Sequence, residues 1–174
     1  SAPESNLINL KSFVSLFVAL SFLSGSVALA EVDPDLQRLN GRWKLDWDKS
    51  ESFDPIMELL EVPWLVQRLS GVVPVHATFE VAAPTCDTCP LTLSIFQENP
   101  IKNTKRVVVL DGEPAPHTDP LGNESIDRFT WSDEHGLEMV RERVLKSGKK
   151  AKILDRRSVG DDSPDMISVM TVWI

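Results

Sequence analysis

Hydrophobic and polar residues follow two different periods in the segment from Asn40 to Gly71. In residues 41–47 the apolar side chains fall at every second position, as in a half-buried strand. In residues 53–60 they fall at i, i+3, i+4 and i+7, the stripe of an amphipathic helix, with Ser52 as the expected N-cap. A second helix is expected from Pro63 to Gly71. The segment therefore predicts one strand followed by a helical hairpin.

Beyond Gly71 the period of two returns and persists to the end of the chain. Short β-rich runs alternate with turn clusters, which predicts an all-β antiparallel meander; closure of the meander into a barrel removes its exposed edges. The predicted strands are 75–81, 91–97, 104–110, 124–131, 137–145, 150–159 and 166–174.

The first thirty residues differ from the rest. Phe13 to Leu23 is an apolar run, too short for a membrane span of about 20 residues. Ala28-Leu29-Ala30 follows it as an A-x-A cleavage site, so residues 1–30 are expected to be a signal or targeting peptide and 31–174 the mature domain. A buried helix, a membrane anchor and the second half of a bipartite organelle signal are the alternatives. The expected location is secreted or another extracytoplasmic compartment.

Charge limits the partners of the domain. The 174-residue chain has a formal charge of −8, all of it contributed after residue 30, because Glu4 and Lys11 cancel in the first thirty residues. Nucleic acid and anionic membrane surfaces both require a positive face, so neither is an expected partner.

The motif of the opening segment resembles the fatty-acid-binding branch of the lipocalin-like (calycin) β-barrels. That family has G-x-W-K-L, a spacer, F-D, an apolar pair and a second short helix ending near a basic residue. The matching residues here are Gly41, Trp43, Lys44, Leu45, Phe53, Asp54, Ile56, Met57, Leu60, Val62, Trp64 and Arg68. The resemblance implies an up-and-down antiparallel β-barrel with a two-helix lid between its first and second strands. It also implies binding or transport of a small hydrophobic ligand, such as a fatty acid or a similar lipophilic carboxylate.

Three features depart from that family. The spacer after Leu45 is two residues longer than in the family. The predicted signal peptide is a second departure, because the family proper is cytosolic and this chain would have to be an exported member. The family also closes with a strand carrying Arg-x-Tyr, whereas this chain has no tyrosine and ends at Ile174. Either the last strand of the barrel is lacking or the ligand carboxylate is held differently.

The resemblance assigns candidate ligand-binding residues on the lid and on the later strands. The lid residues are Phe53, Met57, Val62 and Trp64, whose apolar faces would cover either a cavity or a filled core. Arg156 takes the place of an inward arginine that pairs with a ligand carboxylate. The lower-ranked candidates are Arg106, Arg128 and Arg157. The alternative for each of the four arginines is an outward position on its strand, where the side chain faces solvent and does not bind the ligand.

Cys86 and Cys89, three residues apart in a turn, are expected to form a disulfide, with metal binding and redox chemistry as alternatives. The rival function is an enzyme or cofactor site, such as an isomerase or a haem pocket, using His117 or His135. We expect no catalytic residue, metal or cofactor. The expected partner is a small hydrophobic ligand, without nucleic acid or stable membrane insertion, and the expected state is a monomer.

Overall fold

A computed structural model describes residues 8–9, 13–15, 32–70, 73–84, 86, 89–98, 102–160 and 165–174. The predicted signal segment 1–30 lies outside the described residues apart from two short strands, Ile8–Asn9 (β1) and Phe13–Ser15 (β2). None of the helices in these ranges is long and apolar enough to cross a membrane.

The domain begins with a short helix that the sequence pattern did not predict, followed by the predicted strand and helical hairpin. These elements are α1 (Pro34–Gln37), β3 (Gly41–Lys44), α2 (Asp54–Leu59) and α3 (Trp64–Ser70). Ser52 was expected to be the N-cap of α2, but the N-cap is Phe53. The Ser52 hydroxyl nevertheless accepts a hydrogen bond from Asp54 N at 3.2 Å. The predicted end of α3 at Gly71 lies outside the described residues.

Eight antiparallel strands follow, and seven of them lie where the alternation predicted them. Their bounds are β4 (His76–Ala82), β5 (Thr92–Glu98), β6 (Thr104–Val109), β7 (Ala115–Thr118), β8 (Glu124–Ser132), β9 (Gly136–Val144), β10 (Lys150–Val159) and β11 (Met166–Trp173). The short β7 contains Pro116 and was not predicted, since proline weakens a strand pattern.

The strands form two sheets that pair in chain order. One sheet has the order β3-β4-β5-β6, and the other runs β1-β11-β10-β9-β8-β7, with β2 also on β11. Between the described strands the two sheets are joined by one isolated bridge, Asp111 to Thr130. The predicted antiparallel meander with a two-helix lid between its first two strands is therefore confirmed, although backbone pairing does not close the barrel.

One end of the molecule is filled by a packed apolar cluster. Leu36 and Leu39, around α1, are fully buried there together with Phe79 and Leu93. The indole N–H of Trp43 donates to Leu39 O at 2.7 Å, which ties β3 to α1 and satisfies a buried donor. This end is closed by its own side chains, so space for a ligand has to be sought toward the helical lid.

Candidate functional site

Charged side chains lie inside the fold between two apolar clusters. The closed-end cluster contains Phe79, and a second cluster of Ile56, Ile153 and Val172 lies beneath α2. Asp127 and Asp155 are buried on the strands between these clusters. A buried charge is stable only when it is paired and hydrogen-bonded, so the partners of these two carboxylates define the candidate site.

Two arginines share the carboxylate of Asp127. Arg141 binds it with both arms, through Nε to Oδ1 at 2.8 Å and Nη2 to Oδ2 at 2.7 Å. Arg106 donates from Nη1 to Oδ2 at 2.8 Å, and Ser125 Oγ lies 3.0 Å from Oδ1. Asp127 is 0% exposed and each arginine side chain is 20% exposed. We call Arg106, Asp127 and Arg141 the arginine cluster; its residues carry two positive charges and one negative charge.

The electrostatics of the arginine cluster follow from this imbalance. Burial alone would raise the pKa of Asp127, but hydrogen bonds and charge from Arg141 and Arg106 outweigh burial and lower the pKa to about 2. Burial lowers the pKa of Arg106, and the neighbouring Arg141 lowers it further against the opposing effect of Asp127. The pKa of His117 is also lowered, first by burial and then by the two arginines. The neighbourhood is therefore electropositive.

Strand alternation places the arginine cluster inside the fold. On β8 the inward positions include Ser125, Asp127 and Phe129, all buried. Arg141 is the residue of β9 directly paired with Asp127. Arg106 reaches across from the other sheet and lies over the ring of Phe129 at 4.7 Å. The cluster thus joins the two sheets at a place where their backbones do not pair.

A second buried ion pair lies nearer the closed end. Arg157 donates to Asp155 Oδ2 through Nε at 3.0 Å and Nη2 at 2.6 Å, and Ser168 Oγ donates to Oδ1 at 2.7 Å. The guanidinium of Arg157 also lies over the ring of Phe79 at 5.4 Å. One arginine and one aspartate make this pair neutral, so it has no excess charge to offer a ligand.

The structure separates the arginines that the sequence grouped together. Arg106 points inward, whereas Arg156 pairs with Glu138 at 2.7 Å and leaves 41% of its side chain exposed. Arg128 lies on an outward position of β8 and pairs with Glu142 at 3.4 Å. Because side chains alternate across a strand, the inward arginine of β10 is Arg157 rather than Arg156. The expected inward orientation of Arg156 is therefore wrong by one residue of register, and the lower-ranked candidate Arg128 also faces outward.

The predicted lid residues are also separated. Phe53 packs against the cluster beneath α2, and Met57 and Val62 are half-buried. Trp64 instead exposes 69% of its side chain, contrary to the expectation that it faces inward. Ile56 is the buried residue of α2, and together with the partly buried Leu59 it forms the apolar contact of this helix with the barrel.

Cys86 and Cys89 form the predicted disulfide, with a Cα–Cα distance of 5.1 Å. The two candidate histidines lie apart in the fold. His117 is half-buried on β7, next to the arginine cluster, and His135 lies in an exposed turn at 3.8 Å from Glu134.

Alternation along β9 could have revealed Arg141, which the sequence analysis did not single out. Leu137, Met139, Arg141, Arg143 and Leu145 occupy every second position, so the two arginines share a face with apolar residues at both ends. Because the apolar face of a strand is turned toward the core, arginines on that face of β9 indicate charged groups inside the fold.

Two concave grooves, each of about 440 Å³, lie on either side of Val144 at the end of β9. They are lined mainly by residues of the outward face, including Glu124, Ile126, Glu142 and Lys152. One of the grooves is also lined by Ser125 and His117, which lie next to the arginine cluster.

No family model and no curated protein sequence matches the chain. Solved structures do match. Fatty-acid-binding protein 1 of Echinococcus granulosus is 21% identical, with a TM-score of 0.54 over 78% of this chain and 97% of that one. The Schistosoma mansoni fatty acid binding protein in complex with arachidonic acid is 18% identical, with a TM-score of 0.58 over 80% of this chain and 96% of that one. The chain therefore has the fold of the fatty-acid-binding proteins, as its opening motif predicted.

Proposed function

We propose that this protein binds a small hydrophobic carboxylate, such as a fatty acid, inside the fold, with the ligand carboxylate at the arginine cluster. The observation that carries the proposal is the sharing of one buried carboxylate, Asp127, by two arginines. A second carboxylate would balance the remaining positive charge, and Arg–carboxylate contacts are among the strongest hydrogen bonds in proteins.

The fold supports the same proposal. A structural neighbour was solved in complex with arachidonic acid, and its fold matches 80% of this chain. Binding an acyl chain there would be driven by transfer of apolar surface out of water, at about 25 cal/mol per Å² before ordering costs. We propose a binding role and not a catalytic one.

We further propose that the domain functions in an oxidising compartment outside the cytoplasm. The disulfide between Cys86 and Cys89 supports this location, because disulfides persist in secreted proteins and are rare in reducing compartments.

Displacement of a fluorescent fatty acid by oleic acid and by oleyl alcohol tests the proposed function. In Arg141→Gln the affinity for oleic acid should fall roughly tenfold or more, because a charged hydrogen bond is worth about 1.5–3 kcal/mol. Affinity for the alcohol should change little. Arg42→Gln removes an exposed arginine, paired with Glu98 at 2.9 Å, and serves as the matched control.

Two further variants separate the candidate arginines. Arg157→Gln should affect acid and alcohol alike, because Asp155 already neutralises Arg157. Arg156→Gln tests the assignment made from the sequence, and its outward ion pair predicts almost no effect. Equal loss of acid and alcohol binding in Arg141→Gln would remove the arginine cluster from the mechanism, and no binding of either ligand by the wild type would reject the proposed function.

A further inference from the structure

The outer face of the sheet that contains β8 to β11 carries a group of exposed apolar side chains. Val144 on β9 is 63% exposed, and Ile126 on β8 and Ile174 after β11 are each 39% exposed. One groove beside Val144 is also lined by Ile126, and the other is lined by Trp173 and Ile174. Single exposed apolar residues are normal on a protein surface, but a contiguous group across several strands is typical of a binding surface.

Charged side chains of opposite sign lie on opposite sides of Val144. Glu124 lines the groove toward β8, whereas Lys150 and Lys152 line the groove toward β10. Glu142, on β9 itself, borders both grooves. The face is therefore an apolar ridge with an acidic side and a basic side. Such a surface can complement a second copy of itself after a half turn.

The cross-strand pairing of β9 with β10 extends this complementarity along both strands. Two outward pairs join opposite charges, one joins two apolar side chains, and one places a valine beside the alkyl chain of a lysine. The pairs are Glu138 with Arg156, Glu142 with Lys152, Val140 with Leu154, and Val144 with Lys150. A two-fold axis that runs between β9 and β10, parallel to the strands, places β9 of one copy over β10 of the other in the same register. Each pair is then repeated between the two copies.

The same axis brings β8 of one copy over β11 of the other. Ile126 pairs with Glu142, Glu142 with Lys152, and Lys152 with Trp173, so these four residues form one row across the sheet. In the paired arrangement Ile126 meets Trp173 of the second copy, which adds an apolar contact. The Trp173 ring is held in place by Lys152, whose Nζ lies 5.9 Å from the ring centroid.

We propose that the outer face of β8 to β11, centred on Val144, is an interface at which two copies of this chain form a symmetric dimer. Val144 of each copy occupies the groove beside β10 of the other, and Glu142 of each copy meets Lys152 of the other. This state differs from the monomer expected from the sequence. One face of a single sheet makes a small interface, so the dimer should exchange with monomer at micromolar concentrations.

Sedimentation equilibrium of the ligand-free protein over the micromolar range measures the dimer without relying on lipid binding. In Val144→Lys the dissociation constant should rise roughly tenfold or more, because a charge replaces the apolar ridge and meets Lys150 of the second copy. Val107→Lys is the matched control, since Val107 is 66% exposed on β6 of the other sheet, and this variant should associate like the wild type. Equal effects of the two substitutions would overturn the proposal. So would a wild type that stays monomeric, which would leave this face to a different partner.

Reversal of two charges tests the position of the axis. Glu142→Lys and Lys152→Glu should each be monomeric, because like charges then face each other twice in the symmetric dimer. An equimolar mixture of the two variants should form a dimer again, since every contact between residues 142 and 152 then joins opposite charges. Dimers of either variant alone, or a mixture of folded variants that stays monomeric, would overturn the proposal. Glu142→Lys also loses the ion pair with Arg128 at 3.4 Å, so if it folds poorly, Val144→Lys and its control decide the question.

Discussion

Replacement of Asp127 by asparagine should destabilise the protein and at the same time tighten its binding of carboxylates. The side chain is nearly isosteric but has no charge, so Arg106 and Arg141 would face each other in the interior without a counter-ion. The same change removes the protein's own competitor for the ligand carboxylate. Stability and affinity are therefore expected to move in opposite directions.

The magnitude follows from the pKa of Asp127. Its value of about 2, against an ordinary value of 3.8, corresponds to about 2 kcal/mol of stabilisation at neutral pH. Removing one partner from a buried pair costs about 3–5 kcal/mol, because the remaining charge stays buried. We expect a loss near 3 kcal/mol, or roughly 10 °C in melting temperature for a domain of this size.

Urea unfolding followed by tryptophan fluorescence, with and without oleic acid, measures both effects. Saturating oleic acid should restore more stability to Asp127→Asn than it adds to the wild type, because the gain depends on the ratio of ligand concentration to dissociation constant. Glu138→Gln breaks an ion pair on the outer face and should cost less than about 1 kcal/mol. If Asp127→Asn unfolds like the wild type, or binds oleic acid no more tightly, the reasoning about the excess charge is wrong.

Three further measurements test the structure. Because the pKa of Asp127 is lowered in the folded state, its contribution to stability is present above about pH 4 and lost as the pH falls toward 2; an acid titration of the unfolding free energy should show this loss in the wild type but not in Asp127→Asn. Gly136→Ala should unfold at a clearly lower temperature than Gly122→Ala, although both glycines have positive φ, because only a Cβ at Gly136 meets a backbone carbonyl of β10; equal melting temperatures would contradict that packing. Replacing Cys86 and Cys89 by serine should cost no more than about 2 kcal/mol in chemical denaturation, because the loop they close is short, and a larger loss would show that the turn contributes to the core.

The position of the site inside the fold could be predicted only in part. The resemblance placed Arg156 first, with Arg106, Arg128 and Arg157 as lower-ranked candidates, and neither Asp127 nor Arg141 was among them. A shift of one residue moves every side chain of a strand to the opposite face. Arg156 and Arg157 are adjacent in a polar run, and local alternation there does not show which of the two faces inward.

The sequence by itself determined the order of the elements. Alternation with a period of two gave the strands from β4 to β11 apart from β7, and the change to a helical period gave the lid between β3 and β4. These features depend on neighbouring residues, so they can be read along the chain. The cysteine spacing favoured the disulfide over metal binding and redox chemistry, and the structure confirms it.

Only the tertiary structure decided which charges meet. Arg106 and Asp127 lie on different sheets, 21 residues apart in sequence, and they meet because the barrel brings β6 close to β8. The closing helix α1 is too short to leave a periodic pattern and is held by contacts such as the hydrogen bond from Trp131 Nε1 to Asp33 Oδ2 at 2.9 Å. Pairing energies of this kind depend on distance in space and on burial, and neither quantity is encoded in local sequence period.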